Sequence, residues 1–247
     1  MPGLRRRVCQ NSDKRQPPAP VIHPDEPRSS PAADLRLALQ TDDWFAGCAP
    51  ALQQVLLTSG RLRRLTAGQA LFARGGQADG LCCLTAGALR IGASDAEGQA
   101  AVLAYLEPYQ WFGEISMIDG QPRSHDAVAD VDSQVLVVPR AELMAFLEAN
   151  PVHWRDLARL ACRKLRVSFM VLEELAQLPL EDRVLRRLRL LAQGYGNRDV
   201  ARRRVRVAQE VLARMLGVSR QSTNRALRQL EARGVQRLPY GGIELVE

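Results

Sequence analysis

The chain has 247 residues, 46% of them hydrophobic and 25% charged, with a net charge of +7. That length buries one large core or two modest ones, and the composition is that of an ordinary globular protein rather than a fibrous or low-complexity one. No run approaches the roughly 18 uninterrupted apolar residues of a membrane span, and the N-terminal MPGLRRRVCQ has no apolar segment behind its arginines, so neither a membrane anchor nor a secretory signal is expected.

The charge is unevenly placed. From Leu180 to Glu247 there are 15 Arg, no Lys and 7 acidic residues, a net of +8, while the preceding 179 residues sum to −1. A near-neutral body with a basic end points to a polyanionic partner for that end. The five cysteines, Cys9, Cys48, Cys82, Cys83 and Cys162, form no C-x-x-C pair. With no leader they read as reduced cytoplasmic thiols.

Residues 1–33 hold seven Pro among Ser and charged residues and are expected to be a disordered arm. A short helix is predicted around Pro50–Leu57. From Arg61 to Pro139 strand-sized apolar runs (Leu81–Leu84, Ala88–Ile91, Val102–Leu106, Val135–Val138) alternate with Gly-bearing turns, the pattern of a small β-barrel or jelly roll. After Pro139 the period becomes helical. RAELMAFLEA predicts a short helix stopped at Asn150-Pro151. The segment Val152–Leu178 then runs without Gly or Pro.

Two apolar lines run along that segment. Leu157, Ala161, Lys164, Ser168, Val171, Leu175 and Leu178 follow the 4-3 spacing of a heptad seam, and Leu160, Leu165, Phe169 and Leu172 lie beside it. Two lines allow one face to pack on the chain's own barrel and the other on a second copy. A homodimer is therefore expected, with the seam at the partner. Another helix is predicted over LEDRVLRRLRLLAQGYG on the stripe Val184, Leu185, Leu188 and Leu191.

The segment AQEVLARMLGVSRQSTNRALRQLEARG has helix-turn-helix spacing. Helix one covers Gln209–Leu216, Gly217 makes the tight turn, and Ser219 caps a helix that runs to about Arg233. VQRLPYGGIELVE follows as a two-stranded wing. With Leu212, Leu216, Val218, Ala226, Leu227 and Leu230 turned inward, Arg220, Gln221, Asn224, Arg225 and Arg228 face outward. Arg pairs with guanine O6 and N7 and amides with adenine in a major groove, while Ser219, Ser222 and Thr223 suit phosphate oxygens.

The chain resembles the CRP/FNR (catabolite-activator) family of bacterial transcription regulators over about residues 42–247. LGVSRQSTNRALRQLE carries the resemblance at one end. FGEISMIDGQPRS, Phe112–Ser124, is similar to the phosphate-binding cassette of cyclic-nucleotide domains at the other. The resemblance implies an α+β fold: a double-stranded β-helix (jelly-roll) sensor over 34–150, a dimerisation helix over 151–178, and a winged helix-turn-helix over 179–247. It implies a dimer reading double-stranded DNA with a two-fold-symmetric site, in contact with RNA polymerase if it activates, and a small effector, a cyclic nucleotide among the candidates.

Arg220, Gln221 and Arg225 fall on the family's base-reading positions. Gly113, Glu114, Ile115, Arg123, Ser124 and Ser168 fall on its effector-binding ones. Glu114 would meet a ribose hydroxyl, Arg123 a cyclic phosphate and Ser168 the purine. Two departures stand out: His125-Asp126 follows the cassette where small or apolar residues are usual, and Tyr109-Gln110 stands where a Gly-Asp turn is common.

The competing reading is a nucleotide-sensing module whose basic C-terminal domain docks an acidic protein. No P-loop, dinucleotide fingerprint, H-E-x-x-H or nucleophile elbow is present, so no enzyme is expected. Cys9 and Cys48 do not make an iron–sulfur cluster, and His23, His125 and His153 sit in no haem-ligand motif.

Overall fold

The computed structural model describes residues 31–94, 100–195, 204–233, 235–237 and 242–245. Most of the expected arm, residues 1–30, lies outside them. A helix begins at Pro31, inside the segment expected to be disordered.

Three helices, α1 (Pro31–Leu39), α2 (Asp43–Ala46) and α3 (Pro50–Thr58), precede the strands. Asp42 caps α2 by accepting from the Phe45 N–H at 2.9 Å. That turn delivers Trp44 and Phe45 into a core with Trp111, the Phe45 and Trp111 rings stacking at 5.8 Å.

Eight strands follow: β1 (Arg61–Leu65), β2 (Ala70–Phe72), β3 (Gly80–Ala86), β4 (Leu89–Ser94), β5 (Ala100–Leu106), β6 (Trp111–Phe112), β7 (Asp126–Ala129) and β8 (Ser133–Pro139), with the short helix α4 (Glu114–Asp119) between β6 and β7. They form two antiparallel four-stranded sheets, ordered β1-β8-β3-β6 and β2-β7-β4-β5. Alternation along each strand puts one set of side chains between the sheets, where Leu65, Cys82, Leu84, Leu89, Phe112 and Val135 pack together. Cys83 points to the other face and joins the helical core around Trp111. Burial lifts the Cys82 thiol to about 12, so both cysteines act as small apolar fillers.

Helix α5 (Arg140–Ala149) ends at Asn150, and a single 3-10 turn, Pro151–His153, leads into α6 (Trp154–Gln177). The Trp44 indole N–H donates to the Asp156 carbonyl at 2.6 Å, tying the N-terminal helices to α6.

The division of labour on α6 differs from the heptad expectation. Leu157 and Leu160, one from each line, are both buried against the sensor core. Farther along, the seam residues Lys164, Ser168 and Val171 line a cavity on the sensor side. The second line carries the open face instead, with Leu165, Phe169 and Leu172 half to three-fifths exposed. A continuous helix rotates its stripe slowly around the axis, so one heptad register does not hold over six turns.

Pro179 ends α6, and α7 (Leu180–Ala192) begins the second unit, followed by β9 (Arg204–Arg206), α8 (Gln209–Leu216), α9 (Arg220–Glu231), β10 (Val235–Arg237) and β11 (Gly242–Leu245). The wing is three-stranded, β10-β11-β9, where two strands are expected from VQRLPYGGIELVE; β9, from the arginine-rich stretch before α8, is the third. Val184, Leu188, Leu212, Leu227, Leu230 and Ile243 make its core.

That core continues into the sensor. Ala88, Val102 and Tyr105 belong to the same cluster. Two hydrogen bonds fasten the junction: the Tyr105 N–H donates to the Tyr195 hydroxyl oxygen at 2.9 Å, and the Gln110 carboxamide donates to the Gly194 carbonyl at 2.7 Å.

Candidate DNA-reading helix and effector cavity

Helices α8 and α9 are joined by Gly217, whose φ of +65° is the left-handed turn that glycine adopts without strain. Ser219 caps α9, its hydroxyl accepting from the Ser222 N–H at 3.1 Å. Thr223, Ala226, Leu227 and Leu230 recur at three- and four-residue spacing and are fully buried. The rotation of α9 is thereby fixed, and Arg220, Gln221, Arg225 and Arg228 stand exposed, with Ser219 exposed at the helix start and Ser222 and Asn224 partly so.

One expected contact changes place. Thr223 is not at the surface to meet phosphate. Its side chain is in the core, and its hydroxyl donates to the Ser219 carbonyl at 3.2 Å. It belongs to the stripe that orients the helix.

The second site is a cavity of about 460 Å³ bounded by the sensor strands, α4, α6 and the DNA-binding half. Phe72, Val102, Leu106, Phe112, Val171 and Met215 supply apolar wall, and Gly113, Glu114, Ile115, Arg123, Ser124 and Ser168 all lie on it. The structure thus gathers every effector-binding candidate around one space.

The charged members arrive with partners. Glu114 is 1% exposed and accepts from the Lys164 ammonium at 2.6 Å. Arg123 donates to Asp79 Oδ1 and the Gly80 carbonyl, both at 2.6 Å, and to the Gly113 carbonyl at 3.1 Å, while its guanidinium lies 4.2 Å above the Phe72 ring. Its Nε has no hydrogen-bond partner. Gly113 is required here: its φ is +90°, and a Cβ would come within 2.6 Å of the Arg123 guanidinium. Ser168 is exposed, and its hydroxyl donates back to the Lys164 carbonyl at 3.0 Å.

The two sequence departures have structural reasons. Asp126 does not line the cavity; its carboxylate accepts from the Arg74 N–H at 2.7 Å. His125 does, and burial, with Arg74 beside it, lowers its pKa below 6.5, favouring a neutral ring. Tyr109 takes the left-handed φ of +73° that a glycine would otherwise occupy. Gln110 then uses both ends of its amide, accepting from the Glu107 N–H at 2.9 Å and donating to Gly194.

Sequence reasoning missed Lys164 as a polar wall residue, having assigned it to a helix seam, and missed Arg187 and Tyr195. Arg187 follows Val184 by three and precedes Leu191 by four, so helical spacing places it beside the buried stripe of α7. That signal was available.

A jelly-roll sensor coupled by a long helix to a winged helix-turn-helix, with an open arginine- and amide-bearing helix face, defines a DNA-binding regulator. Comparison with known proteins agrees along the chain. Residues 62–150 match the cyclic nucleotide-binding domain family and residues 182–247 the Crp-like helix-turn-helix domain. The chain is 31% identical over 204 residues to the cyclic AMP receptor protein of Thermus thermophilus, covering 82% of this chain and 92% of that one. It is 30% identical over 173 residues to a CRP-like cAMP-activated global transcriptional regulator of Mycobacterium tuberculosis, covering 69% and 77%. In fold it is similar to FixK2 from Bradyrhizobium japonicum (TM-score 0.67, 19% identity, 75% of this chain and 92% of that one). The chain belongs to the CRP/FNR family of DNA-binding transcription regulators.

Among the described residues, no helix is long and apolar enough to cross a membrane, and no group of three or more His, Cys, Asp or Glu is placed to hold a metal ion.

Proposed function

We propose that this regulator works as a homodimer that places two α9 helices in successive major grooves of a two-fold-symmetric DNA site, under control of a cyclic nucleotide bound in the cavity. The observation that carries the DNA reading is the rotation of α9: with Thr223, Ala226, Leu227 and Leu230 buried, Arg220, Gln221 and Arg225 are left on the open face. Arg220 and Arg225 reach guanine edges, Gln221 reaches a base as donor or acceptor, and Ser219, Ser222, Asn224 and Arg228 hold phosphates or flanking bases.

The exposed line Leu165, Phe169, Leu172 and Leu175 supports the dimer, since an apolar stripe of that length is costly in water. Leu172 and Leu175 also line the cavity, so a partner helix on this face would close the effector's own wall. Glu114 and Ser168 then meet ribose and base, and Arg123 and Ser124 the cyclic phosphate. Bound there, the nucleotide would shift the α6 pair and, through Gly194 and Tyr195, the winged domains.

The test is selection from random duplex oligonucleotides by the full-length protein, with and without cyclic AMP or cyclic GMP, alongside its mass in solution. An enriched two-fold-symmetric sequence, a dimer mass and stronger retention with nucleotide are expected. A single-chain mass, or enrichment of no symmetric sequence, refutes the reading.

A further inference from the structure

We infer that His125 is a positioning residue of the effector site: its ring aligns the Ser124 hydroxyl on the effector's cyclic phosphate and takes up a proton from solvent as that phosphate binds. The inference rests on the reading of the cavity as the effector site, and it leaves the phosphate with Arg123 and Ser124.

The backbone holds His125 at the cavity. The Gly75 N–H donates to the Arg123 carbonyl and the Arg123 N–H to the Gly76 carbonyl, both at 2.8 Å. Three residues on, the Asp126 carboxylate accepts from the Arg74 N–H at 2.7 Å. The connection between β2 and β3 is thus bonded to residues on both sides of the Ser124-His125 pair. Both members of that pair line the cavity, and His125 Nδ1 lies 2.9 Å from the Ser124 hydroxyl oxygen. Ser124 is exposed and His125 half-buried.

A serine hydroxyl has one proton to give. If Nδ1 accepts it, none is left for a phosphate oxygen. If Nδ1 carries a proton and donates it, the serine oxygen accepts, and the serine O–H turns to the phosphate. A phosphodiester anion only accepts, so its arrival favours the second arrangement. The imidazolium form donates from both nitrogens and holds Ser124 in that arrangement throughout.

The charged groups acting on the ring are Arg74, from the β2–β3 connection, and Asp126, the first residue of β7. Without effector, burial and Arg74 outweigh Asp126 and keep the ring neutral at physiological pH. Elsewhere on the wall Glu114 is paired with Lys164, and Arg123 with Asp79. An anion held at Ser124 brings negative charge to the ring and reverses the balance. The bound state then holds the proton more tightly than the free one. Affinity is therefore greatest below both titration midpoints and falls as pH rises through them.

Calorimetric titration of the full-length protein with cyclic AMP between about pH 5.5 and 8, in buffers of different ionisation enthalpy, tests this on wild type, H125N and S124A. Wild-type binding is expected to tighten by up to about tenfold toward the acid end, the factor of a one-unit shift, with proton uptake. H125N keeps an amide donor but cannot titrate, so its profile flattens and the proton uptake disappears. S124A binds more weakly and loses most of the slope. Asp42, whose carboxyl titrates near 6, is present in all three, so the difference between profiles belongs to His125. The wild-type ring, followed by NMR and assigned with H125N, should titrate at higher pH once cyclic AMP is added. Matching pH profiles in wild type and H125N, or a ring midpoint that cyclic AMP leaves in place, overturn the inference. If wild type binds no cyclic nucleotide at any pH, the effector reading fails, and His125 is judged by the same NMR titration in inorganic phosphate against chloride at equal ionic strength. A midpoint raised by phosphate in wild type and not in S124A supports it, and equal midpoints overturn it.

Discussion

The ammonium of Lys164, on the long helix, lies 2.6 Å from Oε2 of Glu114, the first residue of the helix that follows β6. Fifty positions apart in the chain, the two close one corner of the cavity beside α4. Glu114 is buried while a third of the Lys164 side chain is exposed, so the carboxylate depends on the ammonium more than the reverse.

Removing either member should therefore have unequal effects. Lys164→Met strands a buried carboxylate and is expected to cost about 1–3 kcal/mol. E114Q leaves an ammonium that water reaches and costs less. Restoring neutrality in the double variant E114Q/K164M should recover part of the K164M loss. Melting curves of the three variants check the order, and equal losses for the two single variants would show that the pair does not govern the corner.

On α9, Arg220→Ala or Arg225→Ala is expected to weaken binding to a matched site by about 1–3 kcal/mol and to relax base preference at one position per half-site. Arg228→Ala should act on every sequence alike and flatten the salt dependence. Fluorescence titration against matched and single-substituted duplexes at two salt concentrations separates these outcomes.

Thr223 orients the helix from its buried side, and the Ser219 hydroxyl caps its first turn. Thr223→Val removes a buried hydroxyl bonded to the Ser219 carbonyl and is expected to cost about 1 kcal/mol of stability while leaving base preference as it is. Ser219→Ala removes the cap and costs about 1 kcal/mol by the same measurement. A change in base preference for T223V, with its melting point held, would return that residue to the DNA face.

This helix shows how much was readable. Its limits, turn and cap follow from Gly217, Ser219 and the apolar spacing, because those interactions are local. Thr223 was misplaced because a hydroxyl looked like a surface group, although its spacing to Ala226, Leu227 and Leu230 put it on the inner face. The strands of the sensor were legible as apolar runs between Gly turns, and the wing was legible apart from β9, whose run of arginines hid an edge strand. The partners of Glu114 and Arg123 were not legible. Lys164 and Asp79 meet them only after β-roll and helix have packed, and no periodicity encodes contacts across more than forty residues of chain.

Asp42 supplies a pH prediction. Its carboxyl is pushed up from 3.8 to about 6, chiefly by burial, against the opposing pull of the Phe45 N–H and Arg163. The folded protein thus holds this proton where the unfolded chain releases it. The resulting stabilisation is complete below about pH 4 and is lost as pH rises through 6. Asp42→Asn keeps an oxygen for the α2 cap and removes the titration. Its melting temperature, relative to wild type, is expected to climb between pH 4 and 6 and then level off. A difference that stays flat across that range would refute the assignment.

The two bonds that fasten Gly194 and Tyr195 to the sensor join amide, carbonyl and phenol, none of which carries charge. Ionic strength has little leverage on such bonds, whereas the arginine-rich grip on phosphates loosens steeply as counterions compete. Osmotic stress in a cell would therefore alter how often the regulator occupies its operator without unfastening this latch.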